Sequence, residues 1–310
     1  MNIVFMGTPD FAVYSLKQLI ASGHNIEAVF TQPDKPQGRK QISIPPPVKF
    51  FASEQGIAVY QPKTLRNSEA FELIKKHNPD LIVVVAYGKM LPTEILEFPK
   101  YGCVNVHASL LPRHRGASPI QWSIVCGDAE TGVTTMLMAE GMDTGDMLET
   151  VVTNINEDDN YSTLQTRLAI LGADLICHTV AELEKGNILP KKQDESKATK
   201  APIITREMGH IDFVKQTSQK INNLVRGFDP WPSASFEIDG KRLKVYKTRV
   251  VSVESAESGT VIESDSRFII ACADNTSLEL LEVQMEGKNR MSAAQFLNGH
   301  PIEKGRKICD

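Results

Sequence analysis

The sequence lacks the features that mark several protein classes. Its five cysteines are scattered over 310 residues, none forms a C-x-x-C pair, and their number is odd. We therefore expect neither a disulfide framework nor a zinc site, and a reducing cytoplasmic environment fits this use of cysteine. The N-terminus has no basic segment followed by a long apolar one, so we expect no signal peptide. No apolar run reaches the roughly 18 residues that a membrane span needs, so we expect no membrane association.

A strong excess of one charge is also missing. The net charge is -4 at pH 7 and the isoelectric point is near 6.0. Any contact with nucleic acid must therefore come from local basic patches. With 41% hydrophobic and 23% charged residues the composition is that of an ordinary globular protein, and the length favours two domains.

The first part of the chain has the pattern of a parallel α/β sheet. The apolar run Ile3–Met6 is followed by apolar residues at helical spacing and by a second run, Ile26–Phe30, which is the order of a βαβ unit. The unbroken apolar run Leu81–Ala86 is typical of a strand that is buried on both faces. Further elements are predicted as strands at Gly102–Val106 and Thr134–Met138 and as a helix at Ser162–Leu183. The fold class is thus α/β, with a Rossmann-like, mostly parallel sheet.

The composition changes after Gly186. Residues 190–206 are polar and lean basic, and we interpret them as a linker. Short alternating runs then follow, separated by turns such as Asp239-Gly240, and this pattern indicates a small β-barrel. The predicted organisation is an α/β domain over 1–189, the basic linker over 190–206 and a C-terminal β-barrel domain over 207–310.

The most informative motif is Asn105-Val106-His107, at the end of a predicted strand. Because side chains alternate along a strand, Asn105 and His107 point to the same face, and open α/β folds bind ligands at this end of their strands. Both side chains can donate to the oxyanion of a carbonyl carbon that becomes tetrahedral. His107 can also transfer a proton near neutral pH. The structural alternative is a core histidine beside a turn-forming asparagine.

A second candidate is Asp143 in the segment Gly141-Met142-Asp143-Thr144-Gly145. The two glycines allow a sharp turn that aims the carboxylate, which can orient an imidazole or take a proton through a water. Asp146 is the alternative carboxylate, and an Asx turn in a surface loop is the structural alternative. The Asp-Thr-Gly tripeptide has no second copy, so an aspartic-protease site with two carboxylates is rejected.

Two other segments bear on ligand class. Residues 7–11 occupy the place of a dinucleotide fingerprint but lack its glycines, so NAD binding is not expected. The proline-rich loop 32–49 carries Lys35, Arg39 and Lys40. These cations can bind phosphate, and the alternative is a solvated connection.

Taken together, these motifs resemble the methionyl-tRNA formyltransferase family along the whole chain. The matching segments are Phe5–Phe11, Thr31–Pro36, Ala86–Pro92, Asn105–Ile120, Met142–Asp146, Asp229–Pro232 and Gln284–Leu297. N-x-H with a distant aspartate is shared by folate-dependent formyl-transfer domains, whereas the proline-rich loop and the C-terminal module point to the enzymes that act on tRNA. Loops of this family usually carry several more basic residues after the position of Arg39. In this sequence Lys40 is instead followed by Gln41-Ile42-Ser43-Ile44.

The resemblance implies a one-carbon transferase that uses 10-formyltetrahydrofolate as co-substrate and initiator Met-tRNA as acceptor in translation initiation. It implies no permanently bound cofactor, no metal, an OB-like tRNA-binding module and a cytoplasmic monomer. The implied catalytic residues are Asn105, His107 and Asp143. The implied folate-binding residues are Ser109, Leu110, Leu111 and Pro112 together with Ala86, Tyr87, Gly88, Lys89, Met90 and Leu91. The implied tRNA-binding residues are Lys35, Arg39 and Lys40.

Three other functions are weighed against this one. A formyltransferase of another amine, a ribonucleotide or an amino-sugar, would carry the same three catalytic residues. The basic linker and the β-rich module favour a large, phosphate-rich acceptor instead. A nicotinamide oxidoreductase is opposed by the missing glycines, and a catalytically silent RNA-binding module would leave the N-x-H motif without a purpose.

Overall fold

The computed structural model describes residues 1–37, 42–253 and 256–308. The chain forms two compact units. The N-terminal unit comprises residues 1–119, 130–154 and 165–202, and the C-terminal unit comprises residues 120–129, 155–164 and 203–310. The C-terminal unit thus includes two segments that precede the predicted linker, and the limits at 189 and 206 stay a prediction.

The strands alternate with helices in the first half of the chain and follow one another in the second. The described strands are β1 (Asn2–Gly7), β2 (Asn25–Phe30), β3 (Lys35–Gln37), β4 (Ile42–Ile44), β5 (Val59–Tyr60), β6 (Leu81–Val85), β7 (Cys103–His107), β8 (Glu130–Leu137), β9 (Met147–Asn154), β10 (Ala234–Ile238), β11 (Lys241–Val251), β12 (Val261–Glu263), β13 (Phe268–Cys272), β14 (Thr276–Met285) and β15 (Met291–Ser292). The described helices are α1 (Asp10–Ala21), α2 (Pro47–Glu54), α3 (Ser68–His77), α4 (Thr93–Leu96), α5 (Pro119–Val125), α6 (Tyr161–Lys185), α7 (Ser218–Gly227) and α8 (Ala293–Gly299). Within the described ranges, no helix is both long and apolar enough to cross a membrane.

The N-terminal unit is built on a seven-stranded sheet of order β5-β2-β1-β6-β7-β8-β9. The pairs that join β5, β2, β1, β6 and β7 are parallel, whereas β8 and β9 run antiparallel to their neighbours. All five residues of β6 are buried, as its unbroken apolar run predicts. The predicted Rossmann-like, mostly parallel sheet is confirmed, and so is the long helix α6. The short antiparallel hairpin of β3 and β4 was not predicted for the proline-rich loop.

Gly7 is required where β1 turns into α1. A Cβ atom at this position would lie 2.7 Å from the Phe5 ring and 2.8 Å from the Ala12 side chain. Those distances are shorter than van der Waals contact, so a larger residue would push helix and strand apart. The glycine that sequence reasoning considered as part of a nucleotide motif therefore has a packing role here.

The C-terminal unit is built on an antiparallel sheet of order β10-β11-β14-β13-β12, with β15 paired to β14. Its core includes Phe268 and Phe296, which are buried and stacked at a centroid distance of 6.3 Å. The predicted series of short strands is confirmed. Helix α7 begins at Ser218, and Thr217 caps its N-terminus by accepting a hydrogen bond from the Lys220 amide.

A buried carboxylate on β14 binds one arginine from β11 and another from the turn that precedes β13. Glu279 on β14 has a side chain that is 6% exposed and accepts hydrogen bonds from Arg249 at 2.6 Å and from Arg267 at 2.9 Å. The hydrogen bonds from Arg267 and Arg249 lower the pKa of Glu279 against the cost of burial. Because the pKa is lower in the folded chain than in the unfolded chain, the carboxylate stabilises the fold at neutral pH. That contribution is lost as the pH falls from the unperturbed glutamate pKa, about 4.3, through the lower pKa of the folded chain.

We therefore predict that Glu279→Gln lowers the free energy of unfolding of the C-terminal unit at about pH 7, by on the order of 1 kcal/mol. The loss is modest because water screens both guanidinium groups. The difference from the wild type should shrink as the pH is lowered towards about 3. Urea unfolding followed by tryptophan fluorescence measures it, since both tryptophans of the chain, Trp122 and Trp231, lie in this unit. Glu257→Gln removes an exposed partner of Lys307 and serves as the control with no change in stability. A difference that stays constant with pH would contradict the prediction.

Candidate active site

The N-x-H motif lies at the end of β7, inside the sheet. β7 runs parallel to β6 and antiparallel to β8, with Asn105 opposite Val84 on one side and Met136 on the other. The strand ends at His107, where the Ser109 amide closes a turn on the His107 carbonyl at 2.9 Å. Asn105 is half-buried, and no hydrogen bond engages its side chain within the described part of the chain. The Asn105 amide is thus available to a ligand at the carboxyl end of the parallel strands.

Each ring nitrogen of His107 faces a protein oxygen. Its side chain is 6% exposed, its Nε2 atom lies 3.0 Å from the carbonyl oxygen of His114, and its Nδ1 atom lies 3.6 Å from Asp143 Oδ1. A carbonyl oxygen only accepts hydrogen bonds, so Nε2 carries a hydrogen. Nε2 thus donates to a carbonyl, while Nδ1 faces the negative charge of a carboxylate.

Asp143 reaches His107 from the turn between β8 and β9. Its backbone has φ 54°, and its Oδ2 atom accepts a hydrogen bond from the Gly116 amide at 2.8 Å. Asp146, the alternative carboxylate, instead offers its backbone carbonyl to the Leu137 amide. The structure thus brings His107 and Asp143 together although 35 positions separate them in the sequence, and it does so with the carboxylate anchored by the loop that follows β7.

Ser109 starts the loop that was expected to contact folate, and its polar atoms are used within the loop. The Ser109 hydroxyl donates to the Arg113 carbonyl at 2.6 Å, and the Ser109 carbonyl accepts from the Thr134 hydroxyl at 2.8 Å. Ser109 is fully buried, whereas Leu110 and Pro112 are partly exposed. The loop therefore leaves apolar side chains and backbone groups, rather than the Ser109 hydroxyl, free for other contacts.

The turn after β6 alternates between open and buried positions. Ala86 and Gly88 are exposed and have φ values of 46° and 81°, whereas Tyr87 and Leu91 are buried. The Tyr87 carbonyl accepts from the Thr8 hydroxyl and the Gln32 amide, and burial raises the pKa of the Tyr87 phenol to about 12. The exposed backbone of this turn lies beside the end of β7, since β6 and β7 are adjacent and parallel.

The other residues expected in this turn are also placed. Lys89 donates to the Pro62 carbonyl, and burial lowers its pKa. Met90 is 45% exposed, which leaves its side chain open to a ligand. Of the expected tRNA contacts, Lys35 lies on β3 of the hairpin, whereas Arg39 and Lys40 lie outside the described residues.

Sequence reasoning missed a polar network that connects the two ends of the proline-rich loop with Gln61. The Asp34 carboxylate accepts from Lys49 at 2.8 Å and from Gln61 at 2.7 Å, and the same Gln61 amide donates to the Gln32 carbonyl. The hydrogen bonds from Lys49 and Gln61 lower the pKa of Asp34. No local pattern links positions so far apart, and only the folded chain shows that they meet.

Comparison with protein families matches both halves of the chain. Residues 1–180 match the family described as formyl transferase, and residues 203–301 match its C-terminal domain. The N-terminal match contains the N-x-H motif and Asp143, and the C-terminal match covers most of the antiparallel sheet.

The chain is also similar to curated proteins over nearly its whole length. A methionyl-tRNA formyltransferase of Caldanaerobacter subterraneus is 49% identical over 98% of this chain and 99% of the relative. The corresponding Bacillus subtilis protein is 45% identical over 98% of this chain and 96% of the relative.

Solved structures share the fold at lower identity. An N-formyltransferase from Helicobacter canadensis, in complex with folinic acid and dTDP-3-aminofucose, superposes with a TM-score of 0.67 at 21% identity and covers 90% of this chain and 98% of its own. HypX from Aquifex aeolicus in complex with tetrahydrofolic acid gives a TM-score of 0.59 at 16% identity, over 99% of this chain and 50% of its own. From the identity and the extent of the curated matches, the chain belongs to the formyl transferase family and, within it, to the methionyl-tRNA formyltransferases.

Proposed function

We propose that this protein transfers the formyl group of 10-formyltetrahydrofolate to the α-amine of methionine on initiator Met-tRNA. The observation that carries the proposal is the similarity to methionyl-tRNA formyltransferases along almost the whole chain, at 49% identity to one of them. The product, N-formylmethionyl-tRNA, serves translation initiation. In this proposal the enzyme acts as a cytoplasmic monomer and needs neither a metal nor a permanently bound cofactor.

The proposed site residues act on a carbonyl carbon. The amine nitrogen attacks the formyl carbon, a C–N bond forms, and the bond from that carbon to N10 of the folate then breaks. N10 gains a proton and the attacking amine loses one. Asn105 donates its amide hydrogen to the tetrahedral oxyanion, and His107 is the second group that stabilises this oxyanion. Direct donation by His107 to the oxyanion stays a prediction, because both of its ring nitrogens face protein atoms here.

Asp143 serves the imidazole in this scheme. Its carboxylate lies 3.6 Å from His107 Nδ1 and is itself fixed by the Gly116 amide. A carboxylate at that distance limits the rotation of the ring. Asp143 or a water next to it can then accept the proton that leaves the amine. Holding both reactants in one orientation contributes further to the rate.

The folate is proposed to lie along the turn 86–91 and the loop 109–112. The exposed backbone at Ala86 and Gly88 offers hydrogen-bonding groups, and the apolar side chains of Leu110 and Met90 suit a flat heteroaromatic ring. Two structures with this fold hold folates, folinic acid in one and tetrahydrofolic acid in the other. The proposed tRNA contacts are Lys35, Arg39 and Lys40 on the proline-rich loop.

A formyltransferase of an amino-sugar is the second candidate and is not favoured. The sugar enzyme that shares this fold is 21% identical, whereas the methionyl-tRNA formyltransferases reach 45% and 49%. The three proposed catalytic residues are expected in both kinds of enzyme, so they do not decide the acceptor. The acceptor must be tested with tRNA directly.

The catalytic roles predict large losses of turnover. Asn105→Ala removes the oxyanion donor and should lower kcat by about 100- to 1000-fold. His107→Ala should lower it by a similar factor, because it removes the second group that stabilises the oxyanion. The measurement is formylation of Met-tRNA with purified enzyme. His178→Ala is the matched control, since His178 also contacts a carboxylate, that of Glu149, but is exposed. Near-normal turnover in both site variants would sink the assignment.

The proposed acceptor predicts a salt-dependent interaction. Initiator Met-tRNA should be formylated and elongator Met-tRNA should not, and the KM for tRNA should rise with salt. The Arg39→Ala, Lys40→Ala double variant should raise that KM and reduce the slope of log KM against log salt by about 1 for each side chain removed. Lys75→Ala is the control, because it also removes a lysine, but one that forms an ion pair with Glu72 on α3 and is not a proposed tRNA contact. A KM for tRNA that does not respond to salt would argue against tRNA as the acceptor.

A further inference from the structure

Gln193 lies in the stretch that the sequence presents as a linker, yet its amide nitrogen is fully engaged. The Nε2 atom donates to the carbonyl of Asp143 at 2.9 Å and to the carbonyl of Gly145 at 2.7 Å. An amide nitrogen has two hydrogens, so both are used on the turn that carries the proposed catalytic carboxylate.

The oxygen of the same amide is held by Arg115. Its Oε1 atom accepts from Arg115 Nε at 2.9 Å and from Arg115 Nη2 at 2.8 Å. A guanidinium can only donate, so it fixes which end of the amide faces the turn. Arg115 is 11% exposed and also forms two hydrogen bonds to Glu195, at 2.7 and 2.8 Å, which raise its pKa. The order of contacts is therefore Glu195 to Arg115 to Gln193 to the backbone of Asp143.

The turn needs this support because its own conformation is unfavourable. Asp143 has φ 54°, in the left-handed region that residues with a side chain rarely adopt. Gly145 is packed so closely that a Cβ atom would lie 1.6 Å from the Leu137 carbonyl oxygen. A strained backbone persists only where its surroundings hold it, and Gln193 bonds the carbonyl on either side of Thr144.

We propose that Gln193 is a positioning residue for formyl transfer, which acts by fixing the backbone of Asp143 and thereby the carboxylate that faces His107. The effect of Gln193 on formyl transfer rests on the proposed function, whereas its effect on the position of Asp143 does not. The proposal assigns to the predicted linker, residues 190–206, a role in the chemistry in addition to joining two parts of the chain.

The variant Gln193→Glu tests the two hydrogen bonds to the turn separately from the contact with Arg115. The glutamate keeps the contact with Arg115 but cannot donate to the two carbonyls and places negative charge against them. We expect kcat to fall by about 10- to 100-fold, as for small misplacements of a reacting group. The KM values for folate and for Met-tRNA should stay within about threefold, because ground-state binding is not removed. Gln193→Met, which lacks any donor, should behave in the same way and replaces the glutamate variant if that one does not fold.

The dependence on Asp143 is tested in a double-mutant cycle. If Gln193 acts through Asp143, then Gln193→Glu added to Asp143→Asn should lower kcat by less than about twofold further. Two losses that multiply would overturn the proposal, because they would mean that Gln193 acts independently of the carboxylate. Asn187→Asp is the matched control: its exposed amide donates to Glu182 near the end of α6, and its kcat should equal that of the wild type.

A readout without turnover keeps the two proposals distinguishable. The ring resonances of His107, identified by their absence in His107→Gln, should shift in Gln193→Glu and stay in place in Asn187→Asp. Unshifted resonances in Gln193→Glu would refute the positioning role even if turnover falls. If the wild-type protein fails to formylate Met-tRNA, the proposed function is wrong, and the resonances still decide the role of Gln193.

Discussion

The candidate active site depends on the placement of the His107 imidazole between the His114 carbonyl oxygen and the Asp143 carboxylate. His107 is nearly buried, so neither of its nitrogens can turn to water for a partner, and each faces a protein oxygen. Burying a polar ring without partners would destabilise the fold, and burying a charged one without a counter-ion would do so still more. The strands, the turn and the loop must therefore deliver the His114 carbonyl and the Asp143 carboxylate together with the ring.

The ring and its two partners come from three separate stretches of chain. β7 provides the ring, the turn between β8 and β9 provides the carboxylate, and residues 112–118 provide the carbonyl. The last stretch is held by backbone hydrogen bonds to residues 199–201, in which the Arg115 and Ala201 amides bond to carbonyls across the pair. Gly116 permits this approach, since a Cβ atom there would lie 2.4 Å from the Ala201 carbonyl oxygen. The loop after β7 is thus shaped by a segment more than 80 residues away.

Much of this could be predicted from the sequence, for physical reasons that differ by element. β6 follows from an unbroken apolar run that is typical of a strand buried on both faces, and the common face of Asn105 and His107 follows from the alternation of side chains along a strand. The meeting of His107 with Asp143 does not follow from periodicity, and the family resemblance suggested it. Gln193 and Asp34 were out of reach, because a glutamine in a polar stretch and an aspartate in a loop look like solvated residues until their distant partners are known. The hairpin of β3 and β4 was missed since its proline content is unusual for a strand.

The backbone hydrogen bonds between residues 112–118 and 199–201 also limit where the chain can be cut without loss of contacts in the N-terminal unit. A fragment or a chimera that ended its first part at residue 189, where the composition changes, would discard Gln193 and Thr199 and leave the Arg115 side chain and the His114 amide without their partners. A division after residue 202 keeps them. When domains are exchanged between relatives, residues 190–202 of the predicted linker should therefore be transferred together with the sheet that carries His107.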